Sequence, residues 1–196
     1  MFTFAMGEIA TTPDGLPLDR LRRLSADEYL GLAAQGWFGD EKVELVHGLV
    51  LTMSPQGDSH AALVRRLINR LVRQLDDRYE VSPQLPLPLG RLHVPEPDLA
   101  VVERVPEMRH PRSALLVIEV AASSLRYDRN TKLPIYAAAN IAEYWIVDVE
   151  AQLVEVYREP SGAGYREIAR LGVGERLRPP GLPTVDLAIA DLFADA

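Results

Sequence analysis

Apolar positions recur with two different periods along this chain. The clearest helical stretch runs from Asp58 to Asp77, where Val64, Leu67, Ile68, Leu71 and Leu75 return every three or four residues. A shorter helix is predicted from Ser25. Ser25 and Glu28 form a capping box, Tyr29, Leu30 and Leu32 give an apolar side, and Gly36 marks the end. Between these helices, KVELV and LVLTM flank His47-Gly48 and read as a hairpin. Downstream the period shortens. VSPQLPLPLG alternates but is rich in proline, which confines it to a sheet edge. DLAVV (98–102) is a strand, and SALLVIEVA (113–121) is so continuously apolar that it predicts a strand buried on both faces.

Residues 128–139 then read as a helix, with Asp128 as candidate N-cap and Pro134 kinking it or delaying its start. EYWIVDV (143–149), LVEVYRE (153–159) and GYREIARL (164–171) are three more strands, and VDLAIADLF (185–193) predicts a short terminal helix. This order argues for one mixed α/β (α+β) domain over residues 25–196. Residues 1–24, with Pro13, Gly15 and Pro17 and no long periodicity, read as a loosely attached arm.

Composition narrows the function classes. A chain of 196 residues, 47% hydrophobic and 25% charged, builds a self-sufficient core and is not disordered, collagenous or coiled-coil. No stretch approaches the roughly 20 apolar residues that span a bilayer. The first residues lack the basic start and apolar run of a secretory leader. Cysteine is absent, which excludes disulfides, thiol catalysis and zinc–cysteine sites and fits a reducing cytoplasm. The net charge of −7 disfavours a protein that coats nucleic acid, while leaving room for a local basic groove. Of 21 basic residues only two, Lys42 and Lys132, are lysine, and a lysine that survives in such a chain invites a chemical reading.

Glu119 is the anomaly, because it sits inside the most apolar strand, where an ionised carboxylate costs several kcal/mol unless a cation faces it. Asp98 supplies a second acid at the start of DLAVV, behind Pro95-Glu96-Pro97. An aspartate there is ordinarily a turn former. With Glu119 on a neighbouring strand it becomes half of an oxygen-only pair, the donor type that selects Mg²⁺, Mn²⁺ or Ca²⁺. Lys132 follows on the next helix, with Tyr136 one turn later. Glu44 is another acid in an apolar strand, although alternation alone would place it towards solvent. His60 opens the long helix, and Asp148 ends YWIVD as a turn residue. Arg66, Arg70 and Arg73 share a face of the long helix and read either as a phosphate track or as a solvated surface.

The stretches LSADEYLGL, KVELVHGLVLTMSPQGDSH, VPEPDLAVV, LLVIEVAASSLRYDRNTKLPIYAAANIAEYWIVD and VDLAIADLF resemble the Uma-type family of restriction endonucleases, within the PD-(D/E)XK nuclease superfamily, over about residues 24–193. The superfamily signature places a lysine two residues after the second acid. Here that position is Ala121, and the resemblance implies that Lys132 supplies the amine from the following helix. Asn140-Ile141 stands where the family usually has Gly-Val. The resemblance implies a restriction-endonuclease-like core, a central mixed β-sheet flanked by helices. It also implies Mg²⁺- or Mn²⁺-dependent hydrolysis of DNA. Asp98, Glu119 and the Val120 carbonyl would hold the ion, and Lys132 would orient the attacking water. Glu44 would contact the same ion, a second one or a ligating water. His60 and Tyr136 would be accessory, and a homodimer would match two-strand cutting. The rival is a domain of the same fold that binds nucleic acid or an assembly without catalysis.

Overall fold

The computed structural model of the chain describes residues 20–104 and 109–194, so most of the N-terminal arm lies outside the described residues. Its last part is seen: the Leu24 N–H donates to the Gly48 carbonyl at 2.9 Å. Gly48 has φ of 75°, and a Cβ there would come within 2.5 Å of the Arg23 Cβ, so only glycine lets the arm pack against this turn.

Helix α1 (Ala26–Ala34) starts at the predicted capping box. The Glu28 N–H donates to Ser25 Oγ at 3.2 Å, and the Ser25 N–H donates to Glu28 Oε2 at 2.9 Å. Strands β1 (Val43–Val46) and β2 (Leu49–Thr52) form the hairpin, turned by His47 and Gly48 at positive φ. Helix α2 (Asp58–Val72) is five residues shorter than its apolar period suggested. The reason is local: Asp76 accepts the Arg78 N–H at 2.9 Å and closes a turn, which competes with another helical turn.

Six strands form the central sheet in the order β3-β4-β5-β6-β7-β8. They are β3 (Tyr79–Pro83), β4 (Leu99–Glu103), β5 (Leu116–Ala121), β6 (Glu143–Asp148), β7 (Leu153–Ser161) and β8 (Gly164–Leu171). The proline-containing β3 lies at an edge, as its composition required. Among the described residues only β5 and β6 pair in parallel. Between them runs the crossover that a parallel pair demands. It consists of a helical turn α3 (Leu125–Tyr127), a π-turn over Asp128–Lys132 and helix α4 (Leu133–Ala138). Asp128 is therefore inside the helical segment and not its N-cap. Pro134 gives the physical reason for the π-turn. Its ring would clash with the carbonyl four residues back in a regular α-helix, and a wider turn relieves that clash.

Alternation along the strands divides the core. Leu99, Val101, Leu116, Ile118 and Val120 pack with Leu63, Leu67 and Leu71 of α2. Ala100, Val102, Val117 and Ala121 pack with Ile135, Tyr136 and Ala137 of α4. Each fully buried aliphatic side chain contributes about 1.5–3 kcal/mol. The predicted terminal helix is divided instead. Leu187–Ala188 form strand β10, paired with β9 (Arg176–Leu177), and only Ala190–Phe193 are helical, as α5.

Glu155 on β7 is 1% exposed and binds the Arg129 guanidinium at 2.7 and 2.8 Å, Arg170 Nε at 2.8 Å and the Tyr157 hydroxyl at 2.7 Å. Burial raises its carboxyl, but the hydrogen bonds and charges of the arginines and the hydroxyl outweigh this and hold it below the usual glutamate range. A depressed folded value stabilises the protein above the ordinary glutamate value, and that gain is lost as pH falls through the folded value. Wild type should therefore exceed Glu155→Gln in unfolding free energy near neutral pH. The gap should close on acidification, and urea titrations that show it widening below pH 4 would refute this role.

Candidate active site

The register of β4 against β5 pairs Leu99 with Ile118 and Ala100 with Val117, so Asp98, one residue before β4, stands across from Glu119. Both side chains belong to the sheet face covered by α4. Glu119 and Asp98 are 3% and 7% exposed. The backbone ties them together: the Val120 N–H donates to Asp98 Oδ2 at 2.8 Å, and the Asp98 N–H donates to Glu119 Oε2 at 3.3 Å. His60, in the first turn of α2, places Nε2 2.9 Å from the same Asp98 Oδ2. Gln56 donates to Asp98 Oδ1 at 3.3 Å.

The π-turn and α4 deliver the next two groups. Lys132 Nζ donates to Glu119 Oε1 at 2.9 Å and lies 3.5 Å from Glu44 Oε2. The Tyr136 hydroxyl donates to the same Glu119 Oε1 at 2.7 Å. Glu44 is 4% exposed and faces inward, unlike the solvent-facing position that alternation allows. It accepts the Tyr127 hydroxyl at 2.9 Å and the Glu96 N–H at 3.3 Å. Glu44, Asp98, Glu119, Lys132, His60 and the Val120 backbone thus border a single cleft of about 520 Å³. Glu96 and Asp128 border it too.

The electrostatics are lopsided, with Glu44, Glu96, Asp98, Glu119 and Asp128 facing one ammonium. Burial pushes Glu119 above the usual glutamate range, with Asp128 and Asp98 adding repulsion and Lys132 pulling it back. Burial alone would lower Lys132, but Glu119, Glu44 and Asp128 together lift it above its ordinary value and keep it charged. Glu96 is raised by burial and by Glu44.

The residues present fit a hard divalent ion. The donors are carboxylate and backbone oxygens, the type that Mg²⁺ and Mn²⁺ prefer. Glu119 Oε1 is occupied by two donors, whereas Glu119 Oε2 and Asp98 Oδ1 each accept one long bond of 3.3 Å. Among the described residues no three His, Asp or Glu side chains converge as a ready-made metal cage.

A family profile described as Uma2, "Putative restriction endonuclease", matches residues 26–190. The chain belongs to the Uma2 family. A crystal structure from Anabaena variabilis ATCC 29413, titled a putative nuclease belonging to DUF820, is 21% identical with a TM-score of 0.67 and shares the fold. The match covers 87% of this chain and 98% of that one. No curated protein matches the chain.

In this Uma2 member the arginines of α2 stay away from the cleft. Arg66 donates to the Leu192 carbonyl at 2.8 Å and Arg70 pairs with Asp191 at 3.3 Å, so both fasten α5 to α2. Arg73 is exposed at the end of the helix. Asp148 accepts the Ala151 N–H at 2.9 Å and closes the turn after β6. Tyr127, Gln56, Glu96 and Asp128 border the cleft although the sequence did not mark them as site residues, Asp128 having been read as a helix cap. One signal for Asp128 was present, because Asp128, Lys132 and Tyr136 follow at intervals of four. No helix among the described residues is long and apolar enough to cross a membrane.

Proposed function

We propose that this chain is a divalent-cation-dependent endodeoxyribonuclease that hydrolyses a phosphodiester bond in the cleft between the π-turn and the β1–β2 hairpin. One observation carries this reading: Asp98 and Glu119 face each other from adjacent strands with the Lys132 ammonium 2.9 Å from Glu119. The charge balance supports cation dependence. Five acids against one lysine repel a phosphate, so a nucleic acid can enter only when the acids are neutralised.

Asp98, Glu119 and the Val120 carbonyl would hold the ion. When bound, it supplies Lewis-acid polarisation of the phosphate and lowers the pKa of a water. The chain's own groups do the rest. Lys132 orients the attacking water and offsets the negative charge that develops on the phosphate. Tyr136 and Lys132 fix Glu119 through one oxygen and leave the other for a ligand. His60 and the Val120 N–H fix Asp98 through Oδ2. Glu44 anchors Lys132 from the hairpin side. A homodimer would place two such clefts on one duplex. Sedimentation of the active protein should then show a dimer, and a monomer that cuts both strands at one position would exclude it.

The direct test is incubation of supercoiled plasmid with the protein. Cutting is expected with Mg²⁺ or Mn²⁺ and none with EDTA. Binding without cutting under every cation condition would overturn the enzymatic reading. His60→Ala should weaken Mn²⁺ binding about tenfold, as loss of a group that orients a ligand usually does. Calorimetry giving an unchanged affinity would remove His60 from the site.

A further inference from the structure

Asp98 is held unevenly. Its Oδ2 takes two short contacts, the Val120 N–H at 2.8 Å and His60 Nε2 at 2.9 Å. Among the described residues its Oδ1 takes the Gln56 amide alone, at 3.3 Å, so Oδ1 is the oxygen with room for a ligand. Gln56 is exposed on the loop between β2 and α2, and packing does not fix its amide. A second amide does: Gln84 Nε2 donates to Gln56 Oε1 at 2.8 Å.

The direction of this chain of hydrogen bonds follows from its end. A carboxylate only accepts, so Gln56 must present its NH₂ to Asp98. Its carbonyl then faces Gln84, which must answer with an NH₂ of its own. Gln84 therefore decides which end of the Gln56 amide meets Asp98. The backbone of Gln84 reaches the same residue. Extending the β3–β4 register by one from Pro83 and Leu99 sets Gln84 across from Asp98. The Gln84 N–H is shared between the Pro97 and Asp98 carbonyls, at 3.1 and 3.2 Å. Gln84 has φ of 50°, a left-handed conformation that suits glycine and that a glutamine adopts only at a cost. Such a conformation persists where the surroundings hold it in place, and it gathers at functional sites.

We propose that Gln84 and Gln56 form a positioning relay that turns Asp98 Oδ1 towards an incoming divalent ion. The relay rests on the cation-dependent reading of the cleft. Gln56 engages one lone pair of Oδ1 and leaves the other for the ion. An uncharged amide orients the carboxylate without repelling the ion, as an arginine or lysine at this point would.

The glutamines of the chain are Gln35, Gln56, Gln74, Gln84 and Gln152, so ¹⁵N-glutamine labelling of the full chain gives five side-chain amides, and Gln56→Ala and Gln84→Gly each remove one. Gln84→Gly suits the local φ and should keep the wild-type melting temperature. In metal-free buffer it should shift the Gln56 amide signal and speed its hydrogen exchange several-fold, with Gln35 and Gln152 unmoved. Gln56→Ala should do the same to the Gln84 amide, and it serves the same purpose if Gln84→Gly fails to fold. Calorimetric Mn²⁺ affinity should fall about tenfold in both variants, as loss of a group that orients a ligand usually does. Gln84→Glu should bind least, because its carboxylate only accepts, and Gln56 would then turn its NH₂ to residue 84 and its carbonyl to Asp98. An unmoved Gln56 signal in folded Gln84→Gly overturns the relay. So does Mn²⁺ binding in Gln56→Ala as tight as in wild type or tighter. A wild type that cuts plasmid while the variants bind Mn²⁺ undiminished sinks the relay and keeps the nuclease reading. Weakened Mn²⁺ binding in variants of a protein that never cuts DNA supports the relay and sinks only the nuclease reading.

Discussion

Asp98→Asn and Glu119→Gln should each cut plasmid DNA at least about 10³-fold more slowly than wild type, the loss expected when several kcal/mol of charge stabilisation disappears. The substitutions are close to isosteric, and the geometry shows what each retains. In Glu119→Gln the amide oxygen still accepts from Tyr136 and Lys132, which both use Oε1. In Asp98→Asn an oxygen remains for the Val120 N–H. The fold should therefore survive while the negative charge is lost. Calorimetric Mn²⁺ binding should fall with cleavage, and circular dichroism should match wild type. Wild-type cleavage by purified Glu119→Gln would make Glu119 a structural partner of Lys132 and nothing more.

Lys132→Ala should lower turnover about 10²-fold or more, as removal of a group that stabilises developing charge does, with Mn²⁺ binding retained. Lys132→Arg should be impaired too. The site holds a compact ammonium at 2.9 Å from one carboxylate and 3.5 Å from another, a geometry that a planar guanidinium does not reproduce. The alanine variant should also be less stable without a divalent ion. Removing one partner leaves Glu119 and Glu44 buried with no ammonium between them, at a cost of about 3 kcal/mol. Added Mn²⁺ should recover part of that loss. Lys42→Ala is the control, since Lys42 is exposed at the start of the hairpin. Equal turnover in the two alanine variants would reduce Lys132 to a structural ion pair.

Several parts of this site are readable in the chain because their causes are local. A capping box sets the start of α1, and a glycine at positive φ sets the hairpin turn. Asp98 and Glu119 stand out because acids in apolar strands are costly wherever the strand ends up. Lys132 stands out because lysine is scarce here. Other parts depend on distant groups. Arg66 and Arg70 form a plausible phosphate track on a helical wheel, but periodicity cannot say what lies opposite, and the opposite groups are Leu192 and Asp191, more than 100 residues away in sequence. Asp128 has the composition of a cap, and only the π-turn turns it inward.

Element types, the edge position of β3 and the doubly buried nature of β5 follow from the sequence alone, since proline geometry and apolar periodicity act within a few residues. The convergence of Glu44, Asp98, Glu119, Asp128 and Lys132 was decided by the tertiary structure. It needed the β4–β5 register to set Asp98 across from Glu119, and the fold of the hairpin to bring Glu44 within 3.5 Å of Lys132. It also needed an extra residue in one helical turn to aim Asp128 and Lys132 at the same cleft. Register, packing and turn width depend on which surfaces meet, and that information is spread over the whole chain.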